Sequence, residues 1–158
     1  MSSPKIIFLD TGPILSFFNN QEEEIADKTL GYLAKYNTCS RHTVSPCLVE
    51  LFYKVKKSKR LSPADVSKNF DSLGITPFPT SNDLSQRILN SYFQIDYKNG
   101  FDFADFFICC VALQFGNSAI VTIDLNDLPL ALTAAYKSGF FPKENVVQIV
   151  PVNSTKLI

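Results

Sequence analysis

The chain has 158 residues, of which 46% are hydrophobic and 13% aromatic, and its 15 basic residues balance its 15 acidic ones. This composition excludes a disordered chain, which combines low hydrophobicity with high net charge, and a protein that is basic over its whole surface. The length is close to the commonest domain size, so we expect one domain over residues 1–158.

In the first half of the chain, strand and helix signals alternate. The apolar run at residues 5–9 predicts a buried strand, and Pro13 suits the first turn of a helix that follows it. Early acidic residues and apolar residues at helical spacing predict a helix over 21–36. A brief strand at 43–45 and a helix over 46–59 complete this half.

In the second half, cap residues and apolar runs define the elements. Ser62 and Pro63 are typical of a helix N-terminus, and Gly74 is typical of a helix end. The segment 101–115 is apolar nearly all round and predicts a buried helix. In chain order we expect helix 62–74, strand 75–78, a helix from Ser81 or Asn82 to about 95, the buried helix, strand 119–123, helix 127–138 and strand 145–150. This alternation predicts an α/β fold with helices flanking a mainly parallel sheet.

The compartment is bounded by the N-terminal segment and the cysteines. The apolar segment 6–18 is too short and too interrupted for a membrane span or a signal peptide. No C-x-x-C pair occurs, and Cys109 and Cys110 lie in an apolar run, which is typical of small core residues. We therefore expect a reduced, cytoplasmic protein with no membrane association.

Carboxylates follow two of the predicted strands. Asp10 comes directly after the first strand, and Asp124 and Asp127 follow the strand over 119–123. Parallel α/β sheets bind ligands beyond the carboxyl ends of their strands, so these acids converge if the two strands are neighbours. Asp127 is also a candidate N-cap of the helix that follows it, and both interpretations stay open.

Three more acidic residues lie on predicted helices. Glu50 has apolar neighbours, although an exposed ion pair with Lys54 at i+4 also explains it. Asp102 and Asp105 share one face at the start of the buried helix, where Asp102 is the expected N-cap. Because buried carboxylates need partners, these acids together predict a pocket for a hard divalent metal such as Mg²⁺ or Mn²⁺.

The order of these motifs resembles that of the PIN-domain family, which includes the VapC-type toxins of toxin–antitoxin pairs. The segment IIFLDTGPIL matches the opening strand and first acid with Asp10, and VSPCLVEL matches the second acid with Glu50. FADFFICCVAL places Asp105 at the third acid, and AIVTIDLNDL places Asp124 at the fourth. The resemblance covers residues 6–150 and implies a three-layer α/β/α fold.

The resemblance implies an endoribonuclease that hydrolyses RNA with one or two Mg²⁺ or Mn²⁺ ions held by its four acids. Asp127 is a further candidate metal ligand, because the residue after the family's Thr varies. Thr11 and Thr122 could orient the coordinating acids, or be ordinary strand-end residues. Asp102 could join the acids or only cap its helix. The family also allows an antitoxin partner. The apolar and aromatic residues at 51–53 and 84–93 could form a homodimer interface, a groove for a partner or part of the core, and these alternatives stay open.

The balanced charge hides a basic segment. Five of the seven residues at 54–60 are basic: Lys54, Lys56, Lys57, Lys59 and Arg60. The rest of the chain has ten basic and fifteen acidic residues, a net charge of −5. This segment follows Glu50 on one predicted helix, so it could contact RNA phosphates while the scissile bond lies at the acids. Cations are also favourable at any helix C-terminus, which is the competing explanation.

Other functions fit the sequence less well. A haloacid-dehalogenase-like phosphatase needs a second Asp where this chain has Gly12, and a dinucleotide-binding fold needs a G-x-G-x-x-G motif that is absent. The remaining alternative is a non-catalytic PIN-like module that binds RNA or a protein partner.

Overall fold

The structure, a computed structural model, describes residues 3–58 and 61–153. Its strands are β1 (Ile6–Leu9), β2 (Ser40–Thr43), β3 (Ile75–Pro77), β4 (Ser118–Thr122) and β5 (Gln148–Pro151). Its α-helices are α1 (Thr11–Leu15), α2 (Glu23–Lys35), α3 (Ser45–Ser58), α4 (Pro63–Leu73), α5 (Asn82–Phe93), α6 (Phe103–Leu113) and α7 (Asp127–Lys137). None of the helices in the described ranges is long and apolar enough to cross a bilayer.

The five strands form one parallel sheet in the order β3-β2-β1-β4-β5. Along β1, successive side chains point to opposite faces. Ile6 and Phe8 enter a core with α6 and α7, whereas Ile7 and Leu9 enter a second core with α3 and α4. Helices therefore cover both faces of the sheet, which confirms the expected α/β class and its three layers.

Two helix starts follow their local signals. Ser62 caps α4 in a capping box with Asp65, and Gly74 ends the helix in the left-handed region, at φ 65°. Asp102 caps α6 and forms a second capping box with Asp105. The predicted N-cap roles of Ser62 and Asp102 are thus confirmed. At α7 the N-cap is Asn126, so the alternative that Asp127 caps this helix is wrong by one residue.

The strand predicted at 43–45 is wrong, because β2 occupies Ser40–Thr43 and α3 already begins at Ser45. The polar residues of β2 are satisfied by distant backbone groups. The Arg41 guanidinium donates to the carbonyl of Leu73 at 2.8 Å, and the Thr43 hydroxyl donates to that of Leu9 at 2.8 Å. A local sequence pattern does not show hydrogen-bond partners that are distant in the chain. The residues of β2 therefore resemble a loop.

The carboxyl ends of β1 and β4 lie side by side because these strands are paired. The Asp10 amide donates to the carbonyl of Val121 at 3.0 Å, which extends the pairing to the first residue after β1. A Cβ atom on Gly12 would lie 2.6 Å from Cγ1 of Ile123, so only glycine lets α1 approach the segment after β4 this closely. The carboxylates that follow the two strands are thereby brought together.

Candidate metal centre

Asp10 is the most deeply buried carboxylate at this edge of the sheet, with 7% of its surface exposed. Its Oδ1 accepts the Thr11 amide at 2.9 Å, and its Oδ2 accepts the Thr122 hydroxyl at 2.9 Å. Burial raises the pKa of Asp10, while these hydrogen bonds act in the opposite direction. The side chain is held in one orientation by the ends of both central strands.

Three other carboxylates converge closely enough to hold one metal ion. One oxygen from each of Asp105, Asp124 and Asp127 lies within 4.8 Å of the other two. Asp124 is fixed by its own loop, since its Oδ1 accepts the amides of Asn126 at 3.0 Å and Asp127 at 2.8 Å. The sequence left Asp124 and Asp127 as alternatives, and the geometry brings both beside Asp105.

Asp105 has the most strongly perturbed electrostatics of this group. Burial raises its pKa to about 8, and the carboxylates of Asp102, Asp10 and Asp124 act in the same direction. The Asp102 amide opposes them weakly by donating to Asp105 at 3.4 Å. The position thus lies in a region of negative potential that a divalent cation would relieve. Asp102 contributes charge to this region as well as capping the helix.

Glu50 lies at the margin of the acids. Its Oε1 forms an ion pair with Lys54 Nζ at 3.0 Å, and its Oε2 accepts the Thr11 hydroxyl at 3.4 Å. It is close enough to Asp10 for its charge to raise the pKa of that residue. The i+4 pairing considered in the sequence is therefore present, and Glu50 is not among the three carboxylates that converge.

The two predicted orienting threonines have different surroundings. The Thr122 hydroxyl donates to Asp10 and accepts the amide of Asp124 at 2.9 Å, so it links the acids that follow β1 and β4. The Thr11 hydroxyl divides its contacts between Glu50 and the carbonyl of Cys47, each at 3.4 Å. Thr122 has the geometry of an orienting residue, whereas the Thr11 hydroxyl makes only long contacts and Thr11 holds Asp10 through its backbone amide.

Cys47 belongs to the site although its sequence pattern did not lead us to predict it. Its thiol lies beneath the acids, with Sγ 3.6 Å from Oδ1 of Asp10. Burial, together with the charge of Asp10, raises the pKa of this thiol well above its usual value, so it stays protonated and can donate. The signal that could have revealed it is its spacing, three residues before Glu50 on the same helix.

The basic segment is only partly described. Lys54 is engaged with Glu50, whereas Lys56 and Lys57 are exposed in the last turn of α3. Lys59 and Arg60, which the sequence also predicted to bind RNA, lie outside the described residues.

No family model, curated protein or solved structure matches this chain. Function must therefore be inferred from the chemistry of the carboxylates. Asp105, Asp124 and Asp127 offer hard oxygen donors, which are the ligands that Mg²⁺ and Mn²⁺ prefer. The negative potential at Asp105 has the sign that such an ion requires. The donor set fits a divalent metal.

Proposed function

We propose that this protein is a PIN-type endoribonuclease that hydrolyses RNA phosphodiester bonds with Mg²⁺ or Mn²⁺. The observation that carries the proposal is the convergence of Asp105, Asp124 and Asp127 beside the buried Asp10. The order of the four acidic motifs in the sequence supports it independently.

In this proposal Asp105, Asp124 and Asp127 hold the ion, with Asp10 beside them. A bound divalent ion would stabilise negative charge on the phosphate and make hydroxide available near neutral pH. The two hydrogen bonds of the Thr122 hydroxyl fix the position of Asp10 relative to the loop that contains Asp124. Burial and the neighbouring carboxylates raise the pKa of Asp105 to about 8, so near neutral pH this residue would hold a metal ion in competition with a proton. Lys56 and Lys57 attract the RNA backbone.

The proposed setting is the cytoplasm, with RNA as the substrate. If the protein is the toxin of a toxin–antitoxin pair, its second partner is an antitoxin protein. A homodimer is compatible with either case.

One observation favours the alternative of a non-catalytic module that binds RNA or a protein. Lys54 forms an ion pair with Glu50, so the acid that the resemblance places second among the metal ligands is already engaged by a side chain. A module of this kind should bind Mn²⁺ weakly or not at all.

The test combines Mn²⁺ titration calorimetry with cleavage of a 5′-labelled single-stranded RNA in Mg²⁺, Mn²⁺ or EDTA. We expect the wild-type protein to bind Mn²⁺ and to yield products with 5′-phosphate and 3′-hydroxyl ends. Asp105→Asn should lose both properties. Asp71→Asn, which alters an exposed acid of α4, is the matched control and should retain them.

Cleavage that persists in EDTA, or undiminished cleavage by Asp105→Asn, would contradict the metal mechanism. RNA binding with neither Mn²⁺ binding nor cleavage would favour the non-catalytic module.

A further inference from the structure

A groove of about 750 Å³ opens next to the acids, between the N-terminal parts of α3, α5 and α6. This volume lies in the range of small-molecule sites, about 300–1,000 Å³. Its walls are mostly apolar and include Val49, Tyr53, Phe103 and Phe107. Glu50 also lines the groove, which makes it continuous with the margin of the candidate metal centre.

Two features of the walls indicate that the groove binds a ligand. Val49 is 70% exposed and Tyr53 is 68% exposed, so the face of α3 that borders the groove is apolar and accessible. The Thr80 hydroxyl oxygen is buried and has no hydrogen-bond partner among the residues that the structure describes. A buried hydroxyl without a partner is costly, and because Thr80 lines the groove, a turn about its Cα–Cβ bond would present the hydroxyl to the polar edge of a ligand.

The charges around the groove indicate which ligand fits. Glu50 and Asp102 lie on its wall and repel an anion, so a phosphate group does not belong inside. Lys57 is four residues beyond Tyr53 on α3, about 6 Å along the helix axis and on the same side. A neutral ring within the groove would therefore leave its attached phosphates between exposed lysines and the acids.

We propose that this groove binds one unpaired nucleobase of the RNA, stacked on Tyr53 with a polar edge on the Thr80 hydroxyl. The proposal rests on the proposed function and adds to it a base-binding site next to the candidate metal centre. The bases of a duplex are already stacked and paired, so they cannot enter. Aromatic side chains beside basic residues are the usual combination for binding single strands.

The experiment measures the affinity of 5′-labelled octamers of uridine, cytidine and adenosine by fluorescence anisotropy in Ca²⁺ buffer, with RNA integrity checked on gels. Tyr53→Ala should raise Kd about 5- to 150-fold, the range for loss of one base–aromatic stack. Tyr53→Phe should bind like the wild-type protein. Phe52→Ala is the matched control, because Phe52 is the adjacent exposed aromatic residue and does not line the groove.

A second variant tests the edge of the base. Thr80→Val keeps the shape of the side chain and removes its hydroxyl, so it should change the preference among the three octamers by roughly 2- to 10-fold, as expected for one neutral hydrogen bond. An octamer of abasic ribose phosphates should bind the wild-type protein as weakly as the uridine octamer binds Tyr53→Ala.

Equal affinity of the wild-type protein and Tyr53→Ala, or equal affinity for abasic and uridine octamers, overturns the proposal. If Tyr53→Ala instead dissociates a dimer in sedimentation and leaves RNA affinity unchanged, the groove binds a second copy of the chain and the proposal is wrong.

Metal-dependent cleavage without Tyr53-dependent binding refutes only the base site. Tyr53-dependent binding without cleavage refutes only the nuclease, and absence of both refutes both.

Discussion

Asp105→Asn should stabilise the metal-free protein at neutral pH. The carboxyl group of Asp105 is half-buried among other carboxylates, and its pKa rises from 3.8 to about 8. The folded chain therefore keeps a proton that the unfolded chain releases. Because the folded state binds more protons between about pH 4 and pH 8, the free energy of unfolding falls as the pH rises through this window. Asparagine is neutral in the folded and in the unfolded chain, so its free energy of unfolding does not fall in this way as the pH rises.

The size of the effect follows from the shift. One pKa unit corresponds to about 1.4 kcal/mol, so the unscreened difference at pH 7 would be about 4 kcal/mol. Since Asp105 is partly exposed, solvent screening reduces the expected gain to about 1–2 kcal/mol. For a chain of this size that gain raises Tm by about 2–8 °C.

Urea denaturation from pH 4 to pH 8, in buffer treated with chelator, measures this difference. Asp65→Asn is the matched control, because Asp65 occupies the same capping-box position in α4. Hydrogen bonds from Ser62 lower the pKa of Asp65, so its stabilisation is present at neutral pH and is lost as the pH falls. Asp65→Asn should therefore be less stable than the wild-type protein at pH 7. If Asp105→Asn gains nothing at pH 7, or keeps its gain at pH 4, burial and the neighbouring carboxylates do not raise the pKa of Asp105 as described.

Two further substitutions test how the acids are positioned. Thr122→Val removes the hydroxyl that joins Asp10 to the Asp124 amide, and it should lower kcat or Mn²⁺ affinity about 10- to 100-fold. Thr122→Ser should keep both kcat and Mn²⁺ affinity. An equal loss of these in Thr122→Val and Thr122→Ser would mean that the methyl group, not the hydroxyl, supports the site. Gly12→Ala should lower the free energy of unfolding by about 1–3 kcal/mol through overpacking against Ile123. In urea denaturation, adding Ile123→Ala should cost less in the Gly12→Ala background than in the wild-type protein.

Much of the fold was predictable because its signals are local. Ser62 caps the start of α4 and Gly74 caps its end, and each residue acts within one turn of the helix. The limits of β2 were not predictable, because Arg41 and Thr43 depend on carbonyl groups that are distant in sequence. A polar strand of four residues shows no alternation, so nothing in its sequence distinguishes it from a loop.

The candidate site was predictable in composition but not in arrangement. Strand ends and helix starts indicated which acids could converge, and Asp105 stood out because an apolar run follows it. The sequence could not show that Asp124 and Asp127 both approach Asp105, since this depends on how the loop after β4 folds around the Asp124 carboxylate. Nor could it distinguish whether Lys54 pairs with Glu50 or stays free.

The central position of β1 affects how the protein forms during synthesis. Asp10 and Thr122 are hydrogen-bonded although 112 positions separate them, and β1 pairs with β4 along its whole length. Contacts of such long range raise the contact order and slow folding. On a growing chain, Asp10 is made 114 residues before Asp124, whereas Asp105 precedes Asp124 by only 19 residues. The four carboxylates can therefore meet only late in synthesis, once the central pair of strands is able to close.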